Sequence, residues 1–207
     1  MTKHKKIYHQ DFKSVLNIEY TDSVIIKTDK LLNWDIYKDK EYLNNPGVND
    51  KLALMYGALI DDRYQVPLYM QWINKTVQYG VFAEQAITRG QMVCEYTGYL
   101  ELDNNSEVEN LYLWEYPTVL SEAVPGKTSK KKTQFCVNAE KVGNFARGIN
   151  HTIKKHQNVD VAMVPHNGLW HVVYRAKKDI APGEQLLTHY GKGYWQDLGI
   201  VPSVLIP

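Results

Sequence analysis

Cysteine is scarce: the 207 residues hold two, Cys94 and Cys136. Two thiols cannot build a disulfide framework or a zinc site of cysteines alone, and a reducing, cytosol-like compartment is the default expectation. Long apolar runs are missing too. The longest helix-like stretch free of charged, Asn and Gln residues is Leu52 to Ile60, well short of the ~20 residues a bilayer crossing needs. The opening MTKHKKIYHQ is basic, but no apolar stretch follows it, so no secretory signal is expected. An excess of one charge is also lacking. Lys plus Arg is 24 and Asp plus Glu is 23, a net +1, which argues against a protein held on nucleic acid or a membrane by bulk charge. Arginine is rare, with Arg63, Arg89, Arg147 and Arg175 standing among those 24 basic residues. An Arg inside a motif therefore weighs more than one of the many Lys.

What is present is ordinary for a soluble globule: 44% hydrophobic and 23% charged residues. The length fits one large domain, or one domain with a companion segment, and such a chain buries roughly 70% of its extended surface without staples. Residues 1 to about 75 are rich in Lys, Asp, Asn and Tyr, with few Gly. Within them, Asn49-Asp50 followed by Leu52, Met55, Tyr56, Leu59 and Ile60 predicts a capped helix ending near Asp61-Asp62. Asn44-Asn45-Pro46-Gly47 before it reads as a turn, and Ser23 to Lys27 as a short strand. From about Leu68 the pattern changes to short β-rich runs between glycine turns. Val81 to Ala83, Gln91 to Tyr96, Leu111 to Glu115, Gln134 to Val137, Leu169 to Tyr174 and Gln185 to Tyr190 are strand candidates. Many short strands at this spacing predict a mainly β architecture. Ser121 to Thr133 reads as an exposed loop, with a basic run at residues 127–132 (KTSKKK).

Four segments place aromatic and polar side chains beside glycine: QYGVFA at 78–83, EYTGYL at 95–100, GNFARGINHT at 143–152 and EQLLTHYGKGY at 184–194. Each alone is a common structural pattern. Together, in this order, they resemble the SET domain of protein lysine methyltransferases. The family's Gly-Trp-Gly-Val turn is matched by Gln78-Tyr79-Gly80-Val81, and its Glu-Tyr-x-Gly by Glu95-Tyr96-Thr97-Gly98. Its Arg-Phe-x-Asn-His-Ser is matched by Arg147 to Thr152, and its Gly-Glu-Glu-Leu and Asp-Tyr-Gly by Gly183 to Leu186 and His189-Tyr190-Gly191. Tyr112-Leu113-Trp114 resembles the family's Tyr-Leu-Phe strand. The likeness covers about residues 70 to 198. There are departures: Gln78 stands for a Gly, Gly148 where a Phe is common, His189 for an Asp, and Ile153 for a Cys. No cysteine cluster follows residue 191, so the zinc-bearing flanks of many eukaryotic members are absent.

The resemblance implies a mainly β SET-domain fold, with short strands in several small sheets and a knot-like threading of the last motif beneath a loop made by the third. It implies a SET catalytic domain over 68–198, a partly helical N-terminal segment over 1–67 packed on it, and a tail over 199–207. The implied activity is S-adenosyl-L-methionine-dependent protein-lysine N-methylation, with a histone tail or another lysine-bearing protein as acceptor and no metal. By position, Tyr190 is the principal catalytic tyrosine and Tyr96 a second tyrosine of the lysine channel. The cofactor would be met by Val77, Gln78 and Tyr79, by Tyr112, by the Arg147 carbonyl, by Asn150 and His151, and by Trp195 as an aromatic lid. The alternative is a catalytically weak SET scaffold that binds a partner through the basic loop 127–132. No membrane contact is expected, and nucleic acid at most through that loop. The expected location is cytoplasmic, or a host nucleus. Compactness without zinc, few Arg and many Lys and Asn suggest a bacterial or viral source.

Overall fold

Stretches rich in β-branched and aromatic residues form short strands that never gather into one large sheet. The computed structural model describes residues 5–103, 111–123 and 128–191. In chain order the strands begin with β1 (Glu19–Tyr20), β2 (Ile25–Ile26), β3 (Leu68–Asn74), β4 (Gln78–Ala83), β5 (Met92–Glu95), β6 (Tyr99–Leu102), β7 (Leu113–Glu115) and β8 (Leu120–Ala123). They continue with β9 (Lys130–Thr133), β10 (Phe135–Asn138), β11 (Val142–Gly143), β12 (Asn150–His151), β13 (Val159–His166), β14 (Leu169–Ala176) and β15 (Leu187–Thr188). Helices α1 (Lys40–Asn44) and α2 (Pro46–Asp61) lie in the N-terminal part, and a 3-10 turn covers Phe145–Gly148. The mainly β expectation holds.

Three pairings position the site. The antiparallel sheet β13-β14-β5 is its floor. The sheet β2-β6-β10-β7 stands beside it, and the β3–β4 hairpin closes a third side. Side-chain alternation along β14 sends Trp170, Val172, Tyr174 and Ala176 into the main core, while Val173 faces a smaller cluster with Tyr56 and Ile60 of α2. The N-terminal residues Ile7, Phe12, Ile18, Leu31 and Ile36 belong to the same main core. Phe12 is fully buried and meets Phe145 edge-on, 5.0 Å between ring centroids. Buried Asp39 accepts from Thr118 and from the indole N–H of Trp170.

The late part of the chain is threaded. β15 pairs in parallel with β12, and on its other side Asn158 bonds Leu187 through both its backbone and its side chain. The chain from Leu187 thus runs between Asn150–Thr152 and Asn158, as the resemblance implied.

Several local expectations need correction. The helix starts at Pro46, not Asn49: proline's fixed φ suits the first helical position, so the Asn-Pro-Gly signal marks a helix start rather than a free turn. Met55 points to solvent, 59% exposed, and Tyr56, Gly57 and Ile60 carry the buried face. Residues 121–133 are not simply a loop; β8 and β9 pair there as a hairpin. Three exposed lysines give β9 no apolar face to read, although its ladder bonds form regardless. β13 was not expected, since Asp160 and Pro165 break its alternation. It sits at the edge of its sheet, where a proline costs no ladder bond.

Candidate active site

Pairing of β12 with β15 sets Asn150 opposite Leu187 and His151 opposite Thr188. This brings the third and fourth motifs together although ~40 residues separate them. The His151 Nδ1 accepts the backbone N–H of Tyr190 at 3.1 Å. Burial, and then the neighbouring His189, hold the His151 pKa below its ordinary value. A neutral imidazole with Nδ1 accepting carries its proton on Nε2. His189 packs beside it, with ring centroids 5.1 Å apart, and its Nδ1 accepts from Gly191.

Two tyrosines are oriented by backbone carbonyls. Tyr190 donates its hydroxyl proton to Ile149 O at 2.7 Å. Tyr96 donates to Tyr112 O at 2.8 Å. A phenol has one proton, so each oxygen, having donated, offers only lone pairs to anything else.

Arg147 ties these parts together. Its Nε donates to Ala139 O at 2.7 Å, and its guanidinium lies over the Tyr112 ring, 3.7 Å from the centroid. Burial pulls its pKa down, while Tyr112 and Tyr96 pull the other way; an arginine stays protonated regardless. A fixed positive charge therefore sits beside Tyr112 and Tyr96.

The first motif joins through Asn150, whose Nδ2 donates to Tyr79 O at 2.9 Å. Tyr79 packs edge-on against Trp72. The preceding turn is held by Asn74, whose side-chain oxygen accepts from the backbone N–H of Thr76 and Val77. Gln78 is exposed at the turn's end with φ 62, a left-handed conformation that favours glycine.

A SET domain family model matches residues 78–191. The chain belongs to the SET domain family. It is 29% identical to human histone-lysine N-methyltransferase EHMT1 over 130 residues, 61% of this chain and 9% of that protein. It is 34% identical to Danio rerio N-lysine methyltransferase KMT5A-A over 114 residues, 54% of this chain and 32% of that protein. The chain thus spans a third or less of these two relatives. Two ATXR5 crystal structures share the fold. One, in complex with histone H3.1 mono-methylated on R26, has a TM-score of 0.59 at 19% identity, covering 88% of this chain and 85% of that one. The other, an ATXR5 SET domain in complex with histone H3 di-methylated on R26, has a TM-score of 0.62 at 20% identity and the same coverage. Structures of Chaetomium thermophilum PRC2 also match. One is in an autoinhibited conformation bound to S-adenosylmethionine, with a TM-score of 0.50 at 22% identity, covering 73% of this chain and 19% of that one.

The departures from the SET pattern now have local explanations. Where the family carries Gly, Gln78 adopts the glycine-like backbone itself, and the Asn74 side chain holds the turn. Where a Phe is common, Gly148 is overlain by Met70: a Cβ there would stand 2.3 Å from Met70 Cε. The methionine fills the volume an aromatic ring would otherwise occupy. Of the residues singled out from sequence, Tyr79 and Asn150 form one linked group, His151 and Tyr190 a second, and Tyr96, Tyr112 and Arg147 a third. Val77 lies half-buried in the β3–β4 turn with Gln78 exposed beside it. Trp195 lies outside the described residues.

Sequence reasoning missed two side chains. Gln185 Nε2 is buried without a partner and crowds Gly80, where a Cβ would come within 2.6 Å of it. Tyr174 is buried on β14 beside Trp114. The inward alternation Trp170, Val172, Tyr174 was visible in the sequence and would have placed it on the core face. A cavity whose lining includes Asp22, Arg63, Gln65, Glu95 and Asn144 shares no residue with this cluster. Among the described residues no group of three or more His, Cys, Asp or Glu is placed to hold a metal ion.

Proposed function

We propose that this SET domain transfers a methyl group from S-adenosyl-L-methionine to a lysine side chain of a protein, a histone tail being the first acceptor to try. One observation carries the reading: Tyr96 and Tyr190 both give their protons to backbone carbonyls. Their oxygens can then accept the two N–H groups of a neutral primary amine, which leaves the nitrogen lone pair to attack. The names of the relatives, histone-lysine and N-lysine methyltransferases, and the histone H3 complexes of the ATXR5 structures support the same class.

The residues present fit the cofactor. A methionine end carries ammonium and carboxylate, and an adenine needs edge contacts, so the site must offer both donors and acceptors. Gln185 Nε2 and Thr152 Oγ1 are buried polar atoms without a partner, and the absence of a side chain at Gly80 lets Gln185 Nε2 lie against the backbone of the first motif, where a Cβ would stand 2.6 Å from it. Asn150, with its Nδ2 on Tyr79 O, is suited to meet the ammonium through its remaining oxygen. Val77, Gln78 and Tyr79 would flank the methionine part, His151 the adenine edge, and Trp195 would cover it. When bound, S-adenosyl-L-methionine supplies an electrophilic methyl group on a cationic sulfur.

The chain's own residues prepare the acceptor. A lysine amine has an ordinary pKa of about 10.4 and must lose a proton before it attacks. Burial among Tyr96, Tyr112, Trp114 and Tyr190 disfavours the ammonium, and so does the Arg147 guanidinium beside Tyr96 and Tyr112. The two phenol oxygens fix the direction of the lone pair, and alignment of reacting atoms is worth several orders of magnitude in rate. The neutral His151 holds the Tyr190 backbone in place through its N–H.

Labelled-methyl transfer into core histones and mixed cytosolic proteins tests the reading, with Tyr190→Phe as control. Transfer by the wild type, lost in the variant, is the expected result. The second reading, a scaffold that binds partners, is favoured by the exposed Lys130, Lys131 and Lys132 of β9. Cofactor binding without transfer to any protein would support it instead.

A further inference from the structure

Helix α2 (Pro46–Asp61) lies outside the matched SET region at 78–191. Its inner face is firmly held. Tyr56 and Ile60 pack with Val173 of β14, and the Tyr56 hydroxyl donates to Gly90 O. Gly57 lets β13 approach so closely that a Cβ would stand 2.7 Å from His166 Nδ1. A helix held this way ordinarily turns polar side chains outward. This one does not: Val48 is 56%, Met55 59% and Leu54 89% exposed.

The outward residues have an order. Val48, Lys51, Met55, Ala58 and Asp62 are all exposed, and they alternate three and four residues apart, the interval that lines up one stripe for a partner helix. Asp62 caps the helix with right-handed helical backbone and so stays on the stripe, which is about 21 Å long. Its two charges, Lys51 and Asp62, stand toward opposite ends. Among the described residues neither has an ion-pair partner. The other carboxylates of the helix are engaged within the chain, Asp50 with Tyr42 and Asp61 with Asn167.

Reversed end to end, the stripe complements itself. A two-fold axis between Met55 and Ala58 sets Met55 of each copy against Ala58 of the other, a large side chain on a small one. The same axis sets Lys51 of each copy against Asp62 of the other. A parallel pair would instead oppose like charges at both places, which costs energy. We propose that the outer face of α2 is the surface by which two copies of this chain pair, helix on helix and antiparallel. The pairing does not depend on the methyltransferase reading, because α2 packs on the opposite face of the β13-β14-β5 sheet from the main core.

Sedimentation velocity on the full chain tests the pairing. The wild type dimerises. Lys51→Glu sets carboxylate against carboxylate, and Asp62→Lys sets ammonium against ammonium. In each variant two symmetric contacts turn from attraction to repulsion, so dimerisation weakens about 10- to 100-fold. An equimolar mixture of the two variants restores opposite charges at both contacts, and so does Lys51→Glu combined with Asp62→Lys in one chain. Both return to near wild-type association. Recovery on mixing also shows that each variant is folded. A wild type that stays monomeric at about 100 µM overturns the proposal, whether the chain's own last residues or another protein cover the stripe. A wild-type dimer that the single variants do not weaken, or that mixing does not restore, is held by another surface and overturns it equally.

Discussion

Replacing Arg147 by Ala should damage the fold and the site together. The side chain donates Nε to Ala139 O at 2.7 Å, and a hydrogen bond from a charged group is worth about 1.5–3 kcal/mol. Its guanidinium lies 3.7 Å from the Tyr112 ring centroid, worth about 0.5–2 kcal/mol where partly desolvated. Freeing the protein from holding a half-buried cation offsets part of this, so the net loss is about 2–4 kcal/mol. For a chain of this size that lowers the melting temperature by roughly 5–15 °C. Chemical denaturation of Arg147→Ala, Tyr112→Leu and the double variant measures it. The pair should show a coupling of about 0.5–2 kcal/mol. Methyl transfer should fall further than unfolding explains, because the Tyr112 carbonyl that orients Tyr96 is carried by the same clamp. A melting temperature within about 2 °C of wild type, or a cycle that closes with no coupling, would refute the reasoning.

Other consequences can be checked as directly. Gly80→Ala places a Cβ 2.5 Å from Ile73 Cδ1 and 2.6 Å from Gln185 Nε2; the thermal shift caused by S-adenosylmethionine should shrink or vanish. His171 Nδ1 lies 2.7 Å from Glu95 Oε1 with both side chains nearly buried, so His171→Ala strands a carboxylate and costs about 3–5 kcal/mol. His171→Ala with Glu95→Gln recovers much of that loss in denaturant titration. The pKa of His151 is lower in the fold than its ordinary 6.5, so the native state binds fewer protons than the unfolded one. Its contribution to stability is full above pH 6.5 and is lost as pH falls through the folded value. A charged His151 presents an N–H to the Tyr190 N–H, so transfer should fall over the same range. His151→Gln should flatten that acid limb.

Much of the fold was legible because its signals are local. The β14 run Leu169 to Tyr174 alternates as a strand should, and the apolar spacing of Tyr56 and Ile60 specifies a helix, although its start at Pro46 was read as a turn. β13 and β9 were not legible. One survives as an edge strand despite Pro165, and the other is a ladder whose side chains carry no apolar pattern. The site's residue types were readable from the order of four motifs, but their hydrogen bonds were not. That Tyr190 donates to Ile149 O depends on a pairing between β12 and β15 that no local pattern encodes, and that Tyr96 donates to Tyr112 O depends on contacts between segments equally far apart along the chain. Tyr174 escaped notice for the same reason: its neighbours come from β7, β5 and the last motif, far apart along the chain.

The central claim is that two phenol oxygens hold the acceptor nitrogen. A crystal structure with S-adenosylhomocysteine and an acceptor peptide measures this directly. The account predicts the lysine nitrogen within about 2.7–3.2 Å of both the Tyr96 and the Tyr190 oxygens, with each phenol still bonded to its carbonyl. A lysine nitrogen that touches neither oxygen, or a peptide bound at the β8–β9 hairpin with its side chains outside the Tyr96–Tyr190 end, would contradict it.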